Sequence, residues 1–407
     1  MHGFSEKTPL LEADPLSAII EVPYGSDVTH SYKTRDGHLL KYNAWRVSSF
    51  ASFVRIGGTV FFDRELWLRV LAYLSVAGGT CAVLRLSFHR LELVDVDKIS
   101  EVVNGSALLV ALLLALNLVV SVHRWFAVRR EVLGQLWSAV SDLGMLFGAH
   151  LPEKENRPLK TLVLRYGLVS MELLFDTFSE DHRQKDLESL RACGLLSPQE
   201  CALLEPSLHE PFSGNVLPSL PWVWIAKLCR ELAGAEKISS RLLQQLYGIC
   251  SRGRGACSLA AALQYSQPPF VYAHLLSVLV HVSCMLMALK CGAAAAVGLR
   301  AASQSTKHPG APISDTQTLW LLTSQGLLVI AGPLFYGALL NHAVALTNPF
   351  SAGSLGEFPR SAYRAFMRDE CEAFHTAGEN QPKAIEKVVA QFKETDPLLV
   401  HDKVLAV

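Results

Sequence analysis

Long uncharged apolar runs, separated by polar stretches, set the pattern of this chain. Val102 to Val122 reads VVNGSALLVALLLALNLVVSV, without Asp, Glu, Lys or Arg. About 20 such residues span the hydrocarbon core of a bilayer at about 1.5 Å per helical residue. Phe270 to Leu289 is equally free of Asp, Glu, Lys and Arg and carries His274 and His281. Thr318 to Leu346 holds one histidine, His342, and a Gly332-Pro333 step at which a helix can kink. Leu66 to Leu86 contains Arg69 and Arg85, both near its ends, where long basic side chains reach the interface. The pattern predicts four membrane-spanning helices at 66–86, 102–122, 270–290 and 318–346.

Between the second and third spans the periodicity stays helical. Val132, Leu133, Leu136, Trp137, Val140 and Leu143 recur at helical spacing, and Leu162, Leu164, Leu168 and Val169 mark a second stretch. Ser197-Pro198-Gln199-Glu200 is a capping box with proline at the first helical position. The expected class is all-α and integral to the membrane. The expected organisation is a tail at 1–42, an arm with the first two spans at 43–122, a helical region at 123–268, the last two spans at 269–347, and a C-terminal segment at 348–407. Within the last, Lys383 to Phe392 reads as a helix.

Charge gives the orientation. Lys33, Arg35, Lys41, Arg46, Arg55 and Arg64 precede the first span, and Arg124, Arg129 and Arg130 follow the second. The loop between those spans is acidic, with Glu92, Asp95, Asp97 and Glu101 against Arg90 and Lys98. The positive-inside rule places both termini and the 123–268 region in the cytoplasm. Overall, Lys+Arg and Asp+Glu balance at 37 each, which argues against a nucleic-acid partner. The nine cysteines include no CxxC and no zinc spacing, and read as buried thiols. The acidic N-terminus lacks the apolar core of a signal peptide. Glu6-Lys-Thr-Pro-Leu10-Leu11 and Glu394-Thr-Asp-Pro-Leu398-Leu399 each place an acid ahead of a leucine pair, and resemble the dileucine signals read by vesicle-coat adaptors. They point to the plasma membrane or an endolysosomal or vacuolar membrane.

No P-loop, GxGxxG, HExxH or GxSxG is present, so an enzyme is not expected. The spans carry no Asp or Glu to couple a proton to transport. His274 and His281, seven apart on one helix face, read as packing side chains before metal ligands.

Several short motifs, taken in order, resemble the bestrophin family. They are Arg124-Trp125-Phe126, Leu164-Arg165-Tyr166, Gly194 to Glu200 and Pro221-Trp222-Val223-Trp224, then Pro269-Phe270-Val271-Tyr272 and Asn348-Pro349-Phe350. The resemblance covers roughly residues 43 to 370. It implies a homopentamer in the bilayer with one pore on its axis, passing chloride and other monovalent anions, bicarbonate among them, with no cofactor. Counting back from Arg124, the family's neck positions fall on Leu108, Leu112 and Leu116, which share a helix face at i, i+4 and i+8. The family often has Ile and Phe at this neck. Its cytoplasmic aperture falls on Arg241, where members usually carry a small apolar residue; five arginines here would draw anions and repel cations.

The family's calcium-gated members place a run of acidic residues after Asn-Pro-Phe. Here Ser351 to Phe358 contains one carboxylate, Glu357. Calcium takes six to eight oxygens, several from carboxylates, so gating by calcium through this clasp is not expected. Asn43 and the carbonyls of Ala345 and Asn348 would leave at most a weak site. The alternative to a channel is a structural or regulatory membrane subunit that assembles without conducting.

Overall fold

Asp63 begins the first long helix by accepting a hydrogen bond from the Glu65 backbone N–H at 2.9 Å, the cap that orphaned N–H groups require. In this computed structural model the described residues are 63–87, 96–179, 187–209, 216–305, 315–351, 356–380 and 382–395, with three short strands ahead of them. Those strands, β1 (Ile20–Glu21), β2 (Tyr32–Lys33) and β3 (Leu39–Lys41), pair antiparallel in the order β1-β2-β3. They are an addition to an all-helical fold whose sequence shows no strand alternation.

Four helices are long and apolar enough to cross a membrane. They are α1 (Arg64–Leu86), α2 (Val96–Ala127) and, after the intervening helices named below, α10 (Phe270–Ser305) and α11 (Asp315–Ala345), which runs through Pro333. Glycines let them pack closely. A Cβ on Gly292 of α10 would lie 2.4 Å from the Ala77 carbonyl of α1, nearer than side-chain carbons come. Val110 and Leu114 of α2, both 0% exposed, pack with Leu276, Val280, Cys284 and Leu340.

The second span does not end at the membrane surface. It continues through a π-helical turn, Val128–Leu133, into α3 (Gly134–His150), so the expected boundary at 122/123 falls inside one continuous helix. The helices between the second and third spans are then α4 (Arg157–Phe178), α5 (Leu187–Ala192), α6 (Pro198–Leu204), α7 (Pro206–His209), α8 (Leu220–Gly234) and α9 (Ser240–Tyr265). The last two are α12 (Arg360–Glu379) and α13 (Lys383–Thr395). The Ser197–Glu200 capping box forms in full at the start of α6.

Trp222 lies in the core outside the spans. Its indole N–H donates to Ser170 Oγ at 2.9 Å, and Ser170 donates to the Pro218 carbonyl at 2.6 Å, so the one polar atom of a buried ring is satisfied. Gly253 of α9 faces the ring, where an added Cβ would lie 2.3 Å from it. Helix α12 returns the chain to α3 by similar close approach: a Cβ on Gly144 would meet Cys371 Sγ at 2.9 Å, and one on Gly148 the Phe374 carbonyl at 2.7 Å. Charge fixes the register of α12. Glu172, 0% exposed, accepts from Arg360 and Arg364, and Arg360 also reaches Asp176 at 2.6 Å. Removing either side of such a pair strands a buried charge.

All nine cysteines are free; six are buried, Cys81 and Cys201 are partly so, and Cys193 is exposed. His274 and His281 are exposed on the subunit and not packed within it. His274 lies against the Phe270 ring, and His281 Nδ1 is 2.7 Å from the Ser277 carbonyl.

Two outcomes follow for the purified protein in detergent. Gly253→Ala overpacks the Trp222 pocket and should cost about 1–3 kcal/mol, read as a lowered melting temperature. The second concerns His375 on α12. Burial, with Lys160 and Arg157 nearby and Glu379 opposing them, pushes its imidazole down to about 4. Between the ordinary histidine value and that value the unfolded chain binds a proton that the folded chain does not. Stability therefore falls as pH drops through this window, by at most about 1.4 kcal/mol per pH unit from this group. His375→Gln should flatten that acid slope in melting curves taken between pH 6.5 and pH 4; an unchanged slope would show that His375 is not its source.

Candidate anion pathway

Helix α2 has two faces. At about 100° per residue, Val103, Val110 and Leu114 fall on one side and Leu108, Leu112 and Leu116 on nearly the opposite side. The first set is at most 2% exposed, whereas the three leucines are 75%, 58% and 54% exposed. A single subunit therefore leaves this leucine face more than half exposed. Lipid or further copies of the chain must cover it, and with several copies around an axis the three positions would form three apolar rings.

Arg241 is the second residue of α9, whose N-cap Ser239 accepts from the Leu242 backbone N–H at 3.3 Å. Its side chain is exposed, and no carboxylate pairs with it among the described residues. The positive end of the helix dipole adds to its charge.

The segment after the last span is tied down by its own groups. Asn348 Nδ2 donates to the Phe178 carbonyl at 2.9 Å, and its Oδ1 accepts from the Phe350 N–H at 3.2 Å. Trp125 donates to the Gly356 carbonyl at 2.8 Å, and the Phe358 N–H to the Pro349 carbonyl at 2.9 Å. Gly356 lies so near the Ala345 carbonyl that a Cβ there would be 3.2 Å from it. Phe350 packs on Phe175, Phe178 and Phe358. The Asn348 side chain is thus spent on the chain's own backbone, and Glu357 is the segment's one carboxylate. Asn43, and Leu10, Leu11, Leu398 and Leu399 of the dileucine patterns, lie outside the described residues.

A cavity of about 1100 Å³, unmarked in the sequence, lies between the start of α1, the end of α2, the start of α10 and the end of α11. Arg69, Asn117, Ser121, Gln267, His281 and Asn341 contribute to its wall. Arg69 donates to Asn341 Oδ1 at 3.0 Å, and Asn341 Nδ2 to Asp63 at 2.7 Å. Asn117 and Ser121 were recognisable as the polar interruptions of an apolar span, but the sequence does not show which helix they face.

A family model described as "Bestrophin, RFP-TM, chloride channel" matches residues 45–351. No curated protein gives a significant match. Among solved structures, a bacterial bestrophin homologue from Klebsiella pneumoniae, phased with zinc, is similar with a TM-score of 0.56 at 14% identity, over 77% of this chain and 99% of that one. A substituted form of that homologue gives 0.56 at 13% identity, over 76% and 99%. These structures share the fold of this chain, and the family match runs from before the first span to the end of the Asn348-Pro349-Phe350 motif. The chain belongs to the bestrophin family.

Proposed function

We propose that this chain forms a homopentameric channel for chloride and other monovalent anions, bicarbonate among them, with both termini in the cytoplasm. The observation that carries this reading is the bare leucine face of α2 on a helix whose other face is packed. Five copies would bring Leu108, Leu112 and Leu116 into an apolar neck that hinders hydrated ions until it widens or wets. Below it, five Arg241 side chains would ring the exit and concentrate anions. The segment 43–122 would then build the pore, 123–268 the vestibule, and 269–347 the outer wall. Nothing in this arrangement calls for catalysis. The clasp residues do not fit a tight calcium cage, because one carboxylate and an already engaged asparagine are too few oxygens. Gating here is therefore independent of calcium at this segment. The leucine pairs at 10–11 and 398–399 would serve sorting by coat adaptors.

Purified protein in liposomes should dissipate a chloride gradient, with or without micromolar calcium; tight liposomes under every condition would favour a non-conducting subunit instead. Arg241→Glu should reduce the preference for chloride over potassium by about tenfold or more, read as a shifted reversal potential. Leu112→Ala should enlarge single-channel conductance and admit larger anions. Wild-type currents in both variants would remove these residues from the pathway.

A further inference from the structure

Other buried charged side chains among the described residues meet counter-charges. Glu172 sits between Arg360 and Arg364, Arg165 meets Glu200 at 2.6 Å, and Lys160 lies 3.6 Å from Glu379. Arg124, at the cytoplasm-side end of α2, departs from that pattern. Its Nη2 donates to the Gln264 backbone carbonyl at 3.0 Å. Its Nε and Nη1 are buried without an acceptor, and so is the side-chain Nε2 of Gln264, a residue only 8% exposed. No carboxylate pairs with Arg124 among the described residues. One contact between α2 and α9 therefore holds three buried, unused donors, two of them on a cation.

Buried donors in native proteins have acceptors, and buried charges have counter-charges. A neutral ligand would supply the first but not the second, and a metal ion neither. A small anion supplies both, with lone pairs in every direction. Ser121, one turn before Arg124, and Gln267, three residues after Gln264, both line the 1100 Å³ cavity. Arg124 is roughly 120° around α2 from Leu112 at about 100° per residue, so the site is turned away from the leucine face.

We propose that Arg124 and Gln264 bind a small monovalent anion, chloride in the setting of the channel, at a site inside each subunit and off the conduction path. The identity of the ion rests on the channel reading; the need for an anion does not. Trp125, the next residue, holds the Gly356 carbonyl, so an occupied site would brace the end of α2 against both α9 and the segment after the last span.

The test is thermal unfolding of the full-length protein in detergent, titrated with chloride against gluconate at constant ionic strength. Chloride should raise the melting temperature with a saturable midpoint, as a ligand of the folded state must. Gln264→Leu should raise that midpoint about tenfold, for one lost hydrogen bond to a charged partner. Arg124→Gln, where it folds, should abolish the dependence, and Leu112→Ala should leave it as in wild type. Equal melting in chloride and gluconate would overturn the site, as would a wild-type midpoint in Gln264→Leu. A midpoint moved by Leu112→Ala would overturn its place off the pathway. Stabilisation by inorganic phosphate but not chloride would overturn the choice of a monovalent ion. Liposome flux without chloride-dependent melting would sink this site alone, and melting without flux would sink the channel alone.

Discussion

The fold depends on one helix having to satisfy two environments at once. The uncharged run from Val102 to Val122 is apolar all round, so hydrophobicity does not tell one side from the other. Packing does. Val110 and Leu114 close against α10 and α11, and once that side is taken, Leu108, Leu112 and Leu116 are left facing outward. In water such a stripe would be a liability. In a bilayer it is either lipid-facing or the lining of an assembly, and the adjoining helices determine only which residues it contains.

Below the membrane the rules change from apolar packing to charge and close approach. The π turn carries α2 into α3 as one continuous helix, so movement of α2 has a rigid route into the core outside the spans. That core is keyed by glycine against bulk, as with Gly253 under Trp222, and by carboxylate against guanidinium, as with Glu172 between two arginines. Both devices are intolerant of sliding. They hold α12 on α3 and α4, and with it the end of the segment that follows the last span.

The four spans were legible because an uncharged run of that length has few other uses, and the capping box at Ser197 because its hydrogen bonds are local. That the helical region continues the membrane helices was also readable from its periodicity, but the joint between α2 and α3 was not, since the basic residues after Val122 mark a membrane boundary and a helix can cross one unbroken. Arg124 shows the limit well. In sequence it is one of several arginines at the inner end of a span and serves as a charge marker. Only the fold shows that Gln264, far along the chain, comes to its side, and that Nε and Nη1 of Arg124 and Nε2 of Gln264 find no acceptor. The aperture and neck residues came from a resemblance in motif order. The structure adds that the leucines are more than half exposed on the subunit and that no carboxylate pairs with Arg241 among the described residues.

The π turn at Val128–Leu133 has a consequence for how this family can vary. A π turn holds one residue more than an α-helical turn would, and that residue sets the phase between the halves of the long helix. Deleting it would leave an ordinary helix of almost the same length. Every side chain beyond it would then swing by about 100°, carrying Leu136, Val140 and Leu143 out of the core they fill. Insertions and deletions at this joint are therefore a matter of rotation more than of length, and a bulge of this kind is expected to persist through sequence drift that replaces all six of its residues.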